Sequence, residues 1–568
     1  MKFLDLFFAG ALCLSAVRGF ALDRNAFTFT HYYLNIRVEP EQQRLAVRGK
    51  LTLRNDSTLP QRNAVLQISS SLDWRSIRVG GSPVQFIAQT YTSDIDHTGA
   101  LSEAILTLPH EVAPHATVDV DVGYEGIIPL DGTRLTRIGV PEGNARQSDW
   151  DHIGPSFSAV RGIGYVTWYP IATEAANLSD ANSVFETVGD WKARQTGSEM
   201  VVSFSTSSKQ EVLASGTPTR STVFQPDPSD SSKYSSYQLS DLGITAPVFL
   251  IGDYKLLEKA PLCEVYYLPG HEKAASMYSE EAAKVDEFVT WLGSSREPVR
   301  TADLADSTLA PFESGDLMVM PLSTDLALVD INLAHAFAHA HFRSPRPWIN
   351  EGLAHFVQAL WREQQSGRQA ALDFMGLHRT ALAAAEKIAG EQKNSSPAQS
   401  LITTTDEEYY RSKAMFVWWM LHDMLGDTVF KKAVAAYEPQ RDTQPSYVQK
   451  LFETQSHRDL EWFFDDWVYR DRGLPDFRVA SAYARQLLNG TYMVTVTVEN
   501  LGAAGAEVPV RVRIGGGDIS SRLEVHGKSS ASVRIEAPSS PQEITVNDGS
   551  VPESSIENNN FQVQQTKK

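Results

Sequence analysis

The chain has 568 residues, too many for one hydrophobic core, so three or so domains are expected. Hydrophobic residues at 42% and charged residues at 21% are ordinary for a soluble globular protein, and a formal net charge of -18 argues against nucleic acid or an anionic membrane as the main partner. There are 2 cysteines, and they exclude a disulfide framework, because Cys13 falls in the leader and Cys263 then has no partner.

Residues 1–21 read as a secretory signal peptide. Met1-Lys2 precedes a mostly apolar run from Phe3 to Val17, shorter than the ~20 residues that span a bilayer. Gly19-Phe20-Ala21 places small residues for cleavage after Ala21, so the expected location is secreted or periplasmic. Residues 22–255 read as β-rich. Leu34, Ile36 and Val38 alternate with polar residues, as do Leu51 and Leu53, then Val118, Val120 and Val122. Asn55-Asp56-Ser57, Gly80-Gly81-Ser82 and Asp227-Pro228-Ser229-Asp230 punctuate the runs as turns. An antiparallel saddle or sandwich is expected. Residues 256–475 turn helical, with helix spacing over Ser276–Leu292, Asp330–Leu360, Gln369–Ile388, Lys413–Leu425 and Asp459–Val468. Alternation returns over 476–549, where Val494, Val496 and Val498, then Val508, Val510, Val512 and Ile514, then Leu523, Val525, Val533 and Ile535 predict a small β-sandwich. The polar tail 550–568 is expected to be disordered. The fold class is therefore multidomain α+β, and no later stretch reads as a transmembrane segment.

His335-Ala336-Phe337-Ala338-His339 puts two imidazoles four apart, on one helix face, where both can reach one metal ion. Such a pair also occurs as packed core histidines. Trp348-Ile349-Asn350-Glu351-Gly352-Leu353-Ala354 adds a carboxylate on the next helix, and Pro345 and Pro347 break the chain between the two. A helix hairpin then brings Glu351 to His335 and His339. Two imidazoles and one carboxylate suit a tetrahedral zinc with one open position.

Asn350-Glu351-Gly352-Leu353-Ala354 resembles the N-E-G-F-A signature of the alanyl-aminopeptidase-like gluzincins. Lys413-Ala414-Met415-Phe416-Val417 through Leu425-Gly426 is similar to their K-G-A helix, and Phe463-Phe464-Asp465-Asp466-Trp467 with Gly473-Leu474-Pro475 to their F-F-x-x-W…G-L-P close. His31-Tyr32-Tyr33-Leu34-Asn35, Gly49-Lys50-Leu51-Thr52-Leu53 and Trp168-Tyr169-Pro170 match their first β domain. The resemblance implies a β saddle, a thermolysin-like helical domain and a small β-sandwich. It also implies one zinc ion on His335, His339 and Glu351, with a peptide or protein as substrate or ligand.

The pattern departs from that family at five places. Ala336 stands where H-E-x-x-H has the glutamate that deprotonates zinc-bound water. Eleven residues separate His339 from Glu351, a shorter gap than the family's. The G-x-M-E-N segment that grips the substrate's amino terminus is replaced by Glu313-Ser314-Gly315-Asp316-Leu317-Met318, with Glu313 or Asp316 as candidate substitutes. Arg411 occupies the place of the oxyanion-stabilising tyrosine, and Tyr410 beside it is the candidate phenol. Gln358 stands where a carboxylate supports a ligand histidine. Candidate replacement bases are His355, which shares Glu351's helix face, His341, Asp406, Glu407 and Glu408, although such a histidine more often caps a helix and such an acidic run is more often solvated. The implied function is peptide hydrolysis by zinc-bound water, weakened or lost through Ala336. The other readings are a pseudo-peptidase that binds peptides or a protein partner, and a metal-free structural protein.

Overall fold

The computed structural model describes residues 22–180, 183–206, 210–219, 233–240, 242–260, 263–294, 298–322, 326–379, 382, 400–470 and 472–563. The leader, the Asp227–Asp230 turn, most of the far half of the Gln369–Ile388 helix and the last five residues lie outside these.

The N-terminal strands form an eight-stranded sheet with smaller sheets against it. Strand Phe27–Glu39 lies inside the large sheet, antiparallel to Arg44–Asn55 and parallel to Glu199–Thr206. Its buried apolar residues switch from odd (Phe27, Phe29) to even (Tyr32, Leu34, Ile36, Val38) positions, and Thr28 between the first two is buried as well. A register shift between Phe29 and His31 accounts for this, since one extra residue turns the side chains to the other face. The hairpin Leu72–Val79 to Ser82–Pro83 closes on Gly80-Gly81, both at positive φ (58° and 77°), as a two-residue turn requires. A helix the sequence reading did not foresee, Ser183–Arg194, lies in this half. Val184, Val188 and Trp191 had carried its signal at helical spacing, and all three are buried.

The middle of the chain is less purely helical than expected. Lys255–Ala260, Cys263–Tyr267, Val299–Asp303, Leu317–Met320 and Phe312–Ser314 form a five-stranded mixed sheet, in that spatial order. Every residue of Val299–Asp303 and Leu317–Met320 is buried, so these strands show no alternation to read. Helices Glu272–Val289 and Leu326–His341 pack on this sheet, Pro347–Ser366 packs on Leu326–His341, and Arg368–Gly376 and Glu407–Leu425 pack on Pro347–Ser366. Pro347 opens its helix at the first turn, where a missing N–H costs nothing. Gly352 lets that helix press on Glu407–Leu425, for a Cβ there would lie 2.3 Å from the Ala414 Cβ. The Asp459–Val468 region holds a short helix, Glu461–Phe464, then a π-helical turn, Asp465–Tyr469.

Two antiparallel sheets follow, and Val494, Val496 and Val498 of one share a core with Val508, Val510 and Val512 of the other, all fully buried. They dock on the helices through Trp467 Nε1–H to Gly505 O (2.7 Å) and Gly505 N–H to Asp466 Oδ2 (2.8 Å). Residues 550–563, expected to be disordered, are instead held in place. Strand Asn560–Gln562 pairs with Pro541–Val546, Val551 is buried, and Glu553 accepts from Phe477 N–H and Asn559 Nδ2. Of the polar residues that suggested disorder, Asn558 and Asn559 donate their side-chain amides to Asp476 and Glu553. Among the described residues, no helix is long and apolar enough to cross a membrane.

Candidate metal centre

Helix Leu326–His341 carries His335 and His339 on one face, and the chain turns back into Pro347–Ser366, which brings in Glu351 on its second turn. The His335 and His339 Nε2 atoms are 3.1 Å apart. Glu351 straddles them, with Oε2 3.7 Å from His335 Nε2 and Oε1 3.5 Å from His339 Nε2. Glu313 reaches in from strand Phe312–Ser314, with Oε2 3.5 Å from His335 Nε2. Arg411 Nε lies 3.5 Å from Glu351 Oε2. These groups line a cavity of about 500 Å³.

The carboxylate–imidazole separations are long for hydrogen bonds. They suit a shared ion: ligand atoms about 2.0–2.1 Å from a tetrahedral zinc lie about 3.3 Å from one another. The donors are neutral imidazoles and carboxylates, the set zinc prefers. Burial, then the neighbouring rings His339 and His355, hold His335 well below the usual imidazole range. Burial also lowers His339. Burial pushes Glu351 up, but His339 and Arg411 outweigh it and hold the carboxyl well below its usual range. Two neutral rings and a carboxylate anion are the ligand forms a metal needs, so the residues fit a zinc ion.

The hydrogen bonds behind the rings differ. The Asn350 Oδ1 accepts from Ser344 N–H (3.1 Å), which turns the amide Nδ2 toward His339 Nδ1 (3.1 Å). With the amide turned this way His339 Nδ1 accepts; in the form that ligates a metal through Nε2, Nδ1 carries the proton and the amide is turned over. His335 Nδ1 is buried and has no hydrogen-bond partner among the described residues. His355, one turn after Glu351, faces His335 with ring centroids 4.8 Å apart. Gln358 donates through Nε2 to Ile331 O (3.0 Å), which turns its Oε1 to His355 Nδ1 (2.8 Å).

The other candidates separate cleanly. Asp316 is paired with Arg300 at 2.7 Å and its hairpin turns on Gly315 at φ 64°, so of the two substitutes Glu313 faces the imidazoles. Burial, then Glu351, hold the Glu313 carboxyl well above the usual range. Ala336 lines the cavity beside His335. Tyr410 is buried, and burial raises its phenol well above the usual value; Arg411 is the residue of this pair on the cavity wall. His341 bonds Gly293 O and Asp286 on the opposite face. Asp406 caps the Glu407–Leu425 helix by accepting from Tyr409 N–H, and Glu408 accepts from Ser412. Glu407 is held by Lys192 at 2.6 Å, a contact across to helix Ser183–Arg194 that no sequence pattern signalled. The Cys263 thiol is buried and pushed up to about 12, which leaves it inert.

No family model matches the chain, and no curated protein does. Solved structures do. An M1 zinc metallopeptidase from Deinococcus radiodurans is 17% identical, with 80% of this chain and 96% of that chain aligned at a TM-score of 0.50. The fold is that of the M1 zinc metallopeptidases. A glutamate-to-alanine mutant of the same protein aligns over the same shares at 17% identity and a TM-score of 0.49. A form of that mutant bound to a Tyr-Ser-Ala substrate aligns over 80% and 96% at 16% identity and 0.47. This mixed α+β architecture, several sheets with a helical layer between them, is the coarse fold class the sequence predicts.

Proposed function

We propose that this chain is a secreted or periplasmic, zinc-binding, peptidase-like protein. In this reading the metal sits among His335, His339 and Glu351, the cleft takes peptides, and hydrolysis is slow or lost. The observation that carries the reading is the strand Phe312–Ser314. It is the edge of its sheet, with Leu317–Met320 as its neighbour, and it borders the cavity beside the imidazole pair. An extended peptide can add to such an edge by main-chain hydrogen bonds, which lays one of its carbonyls across the centre.

Zinc bound there supplies a Lewis acid and an acidified water. The chain's own groups do the rest. Glu313, whose carboxyl burial and then Glu351 hold toward the neutral form, ionises when a peptide's ammonium group lies beside it. Arg411 takes the oxyanion role in place of Tyr410, because its guanidinium is on the cavity wall. Ala336 has no group that accepts a proton, so the base of the usual route is missing. We further take the chain as three units, 22–255, 256–475 and 476–549.

A second reading, peptide binding with no turnover, is favoured by the same alanine. The test is metal content after mild purification, then calorimetric titration with free and N-acetylated peptides, then turnover. One zinc per chain, with binding that favours the free amino terminus, supports the proposal. No zinc and no peptide binding refute it. Binding without turnover selects the second reading. Zinc at 100 times its Kd is expected to raise stability by about 2.7 kcal/mol, measured by thermal unfolding.

A further inference from the structure

We propose that His355 is a ligand of the metal centre, a fourth protein donor beside His335, His339 and Glu351. The inference rests on the zinc reading above and adds to it. His335, Glu351 and His355 each offer a ligand atom, and these lie within 4.8 Å of one another. The position is set by the helix: residue 355 is one turn beyond 351, on the same face of Pro347–Ser366.

The stronger argument is the hydrogen bond behind each ring. A histidine that binds metal through Nε2 carries its proton on Nδ1 and gives it to an acceptor. His355 meets that condition. Gln358 presents a carbonyl oxygen to its Nδ1, and cannot present its amide nitrogen instead without losing the Ile331 carbonyl. The His355 Nε2 lone pair is therefore left for the cluster. Among the described residues His335 has no acceptor at Nδ1, and His339 faces a donor there. For His339 to ligate, Asn350 must turn its amide and give up Ser344 N–H. Of the three imidazoles, His355 is the one whose Nδ1 already faces a carbonyl oxygen among the described residues. Gln358, expected to support a motif histidine, supports His355.

A fourth protein donor takes the place that water holds in a three-ligand catalytic site. The site becomes one that retains metal more than it activates water.

The test uses the full chain. Zinc affinity is measured by chelator competition for the unaltered protein, His355→Ala and Gln358→Leu, with thermal unfolding of each metal-free form as the check on folding. His355→Ala is expected to lose tenfold or more in affinity, and Gln358→Leu about tenfold, the scale on which supporting hydrogen bonds act. His355→Cys, loaded with Co²⁺, is expected to show a thiolate-to-cobalt charge-transfer band. That band reports ligation at this position directly, whatever the alanine variant does to folding. Unchanged affinity in His355→Ala, or cobalt uptake by His355→Cys with no such band, overturns the proposal while leaving the zinc reading intact. An unaltered chain that takes up neither metal overturns both.

Discussion

The sharpest perturbation is to restore a carboxylate at Ala336. This residue is 5% exposed, and it follows His335 on the cavity wall. General acid–base help contributes about 10²–10⁴-fold. At 1.36 kcal/mol per decade that is about 2.7–5.4 kcal/mol of barrier. The introduced carboxylate would share the cavity with Glu313 and Glu351, and like charges there raise its pKa toward neutrality, where a base works best. If His355 also holds the metal, water must compete for a coordination place. Ala336→Glu alone is then expected to gain about 10²-fold, and Ala336→Glu with His355→Ala to move toward the upper figure of about 10⁴-fold. The assay is cleavage of a broad peptide library at saturating zinc, for the unaltered chain and both variants. The reasoning fails if the unaltered chain already cleaves and neither variant gains. Another group would then be the base, and Glu313, the carboxyl beside His335, is the first to remove.

Other consequences are open to direct measurement. Glu313→Gln keeps the size but removes the charge offered to an amino terminus, so the preference for free over N-acetylated peptides should fall by roughly tenfold, in line with about 1.5–3 kcal/mol for a charged hydrogen bond weakened by solvent. Lys192→Met strands the Glu407 carboxylate. Breaking a buried pair costs about 3–5 kcal/mol, and Arg411, 3.6 Å from Glu407, offsets part of this, so a loss of roughly 2–3 kcal/mol is expected in denaturant titration. Burial pushes Glu407 up, but Lys192 and Arg411 hold it lower than usual, so its contribution is present above the unfolded value of about 4.3 and is lost as pH falls through the folded one. The gap between Lys192→Met and the unaltered chain should therefore narrow in acid. A gap that widens there would contradict the pairing. Gly352→Ala drives a methyl against Ala414. Overpacking at about 1–3 kcal/mol exceeds the roughly 1 kcal/mol gained in helix propensity, so a net loss is expected, and adding Ala414→Gly should recover it.

What could be read from the sequence, and what could not, follows from where each signal sits. Half-buried strands such as Phe27–Glu39 and Tyr492–Asn500 alternate, and so they are visible. Val299–Asp303 and Leu317–Met320 are buried on both faces, and so they are not. The edge strand of that hidden sheet carries Glu313 to the imidazoles, and only the fold separates Glu313 from Asp316, which pairs with Arg300. The motif spacing brought His335, His339 and Glu351 to one point because four residues are one helical turn and two prolines make the hairpin. Nothing in that spacing distinguishes the protonation of the rings. Asn350 and Gln358 are both amides, and each can offer oxygen or nitrogen. Ser344 N–H commits Asn350's oxygen, and the Ile331 carbonyl commits Gln358's nitrogen. Which nitrogen His339 and His355 each leave free is thus set by two backbone groups that no side-chain pattern encodes.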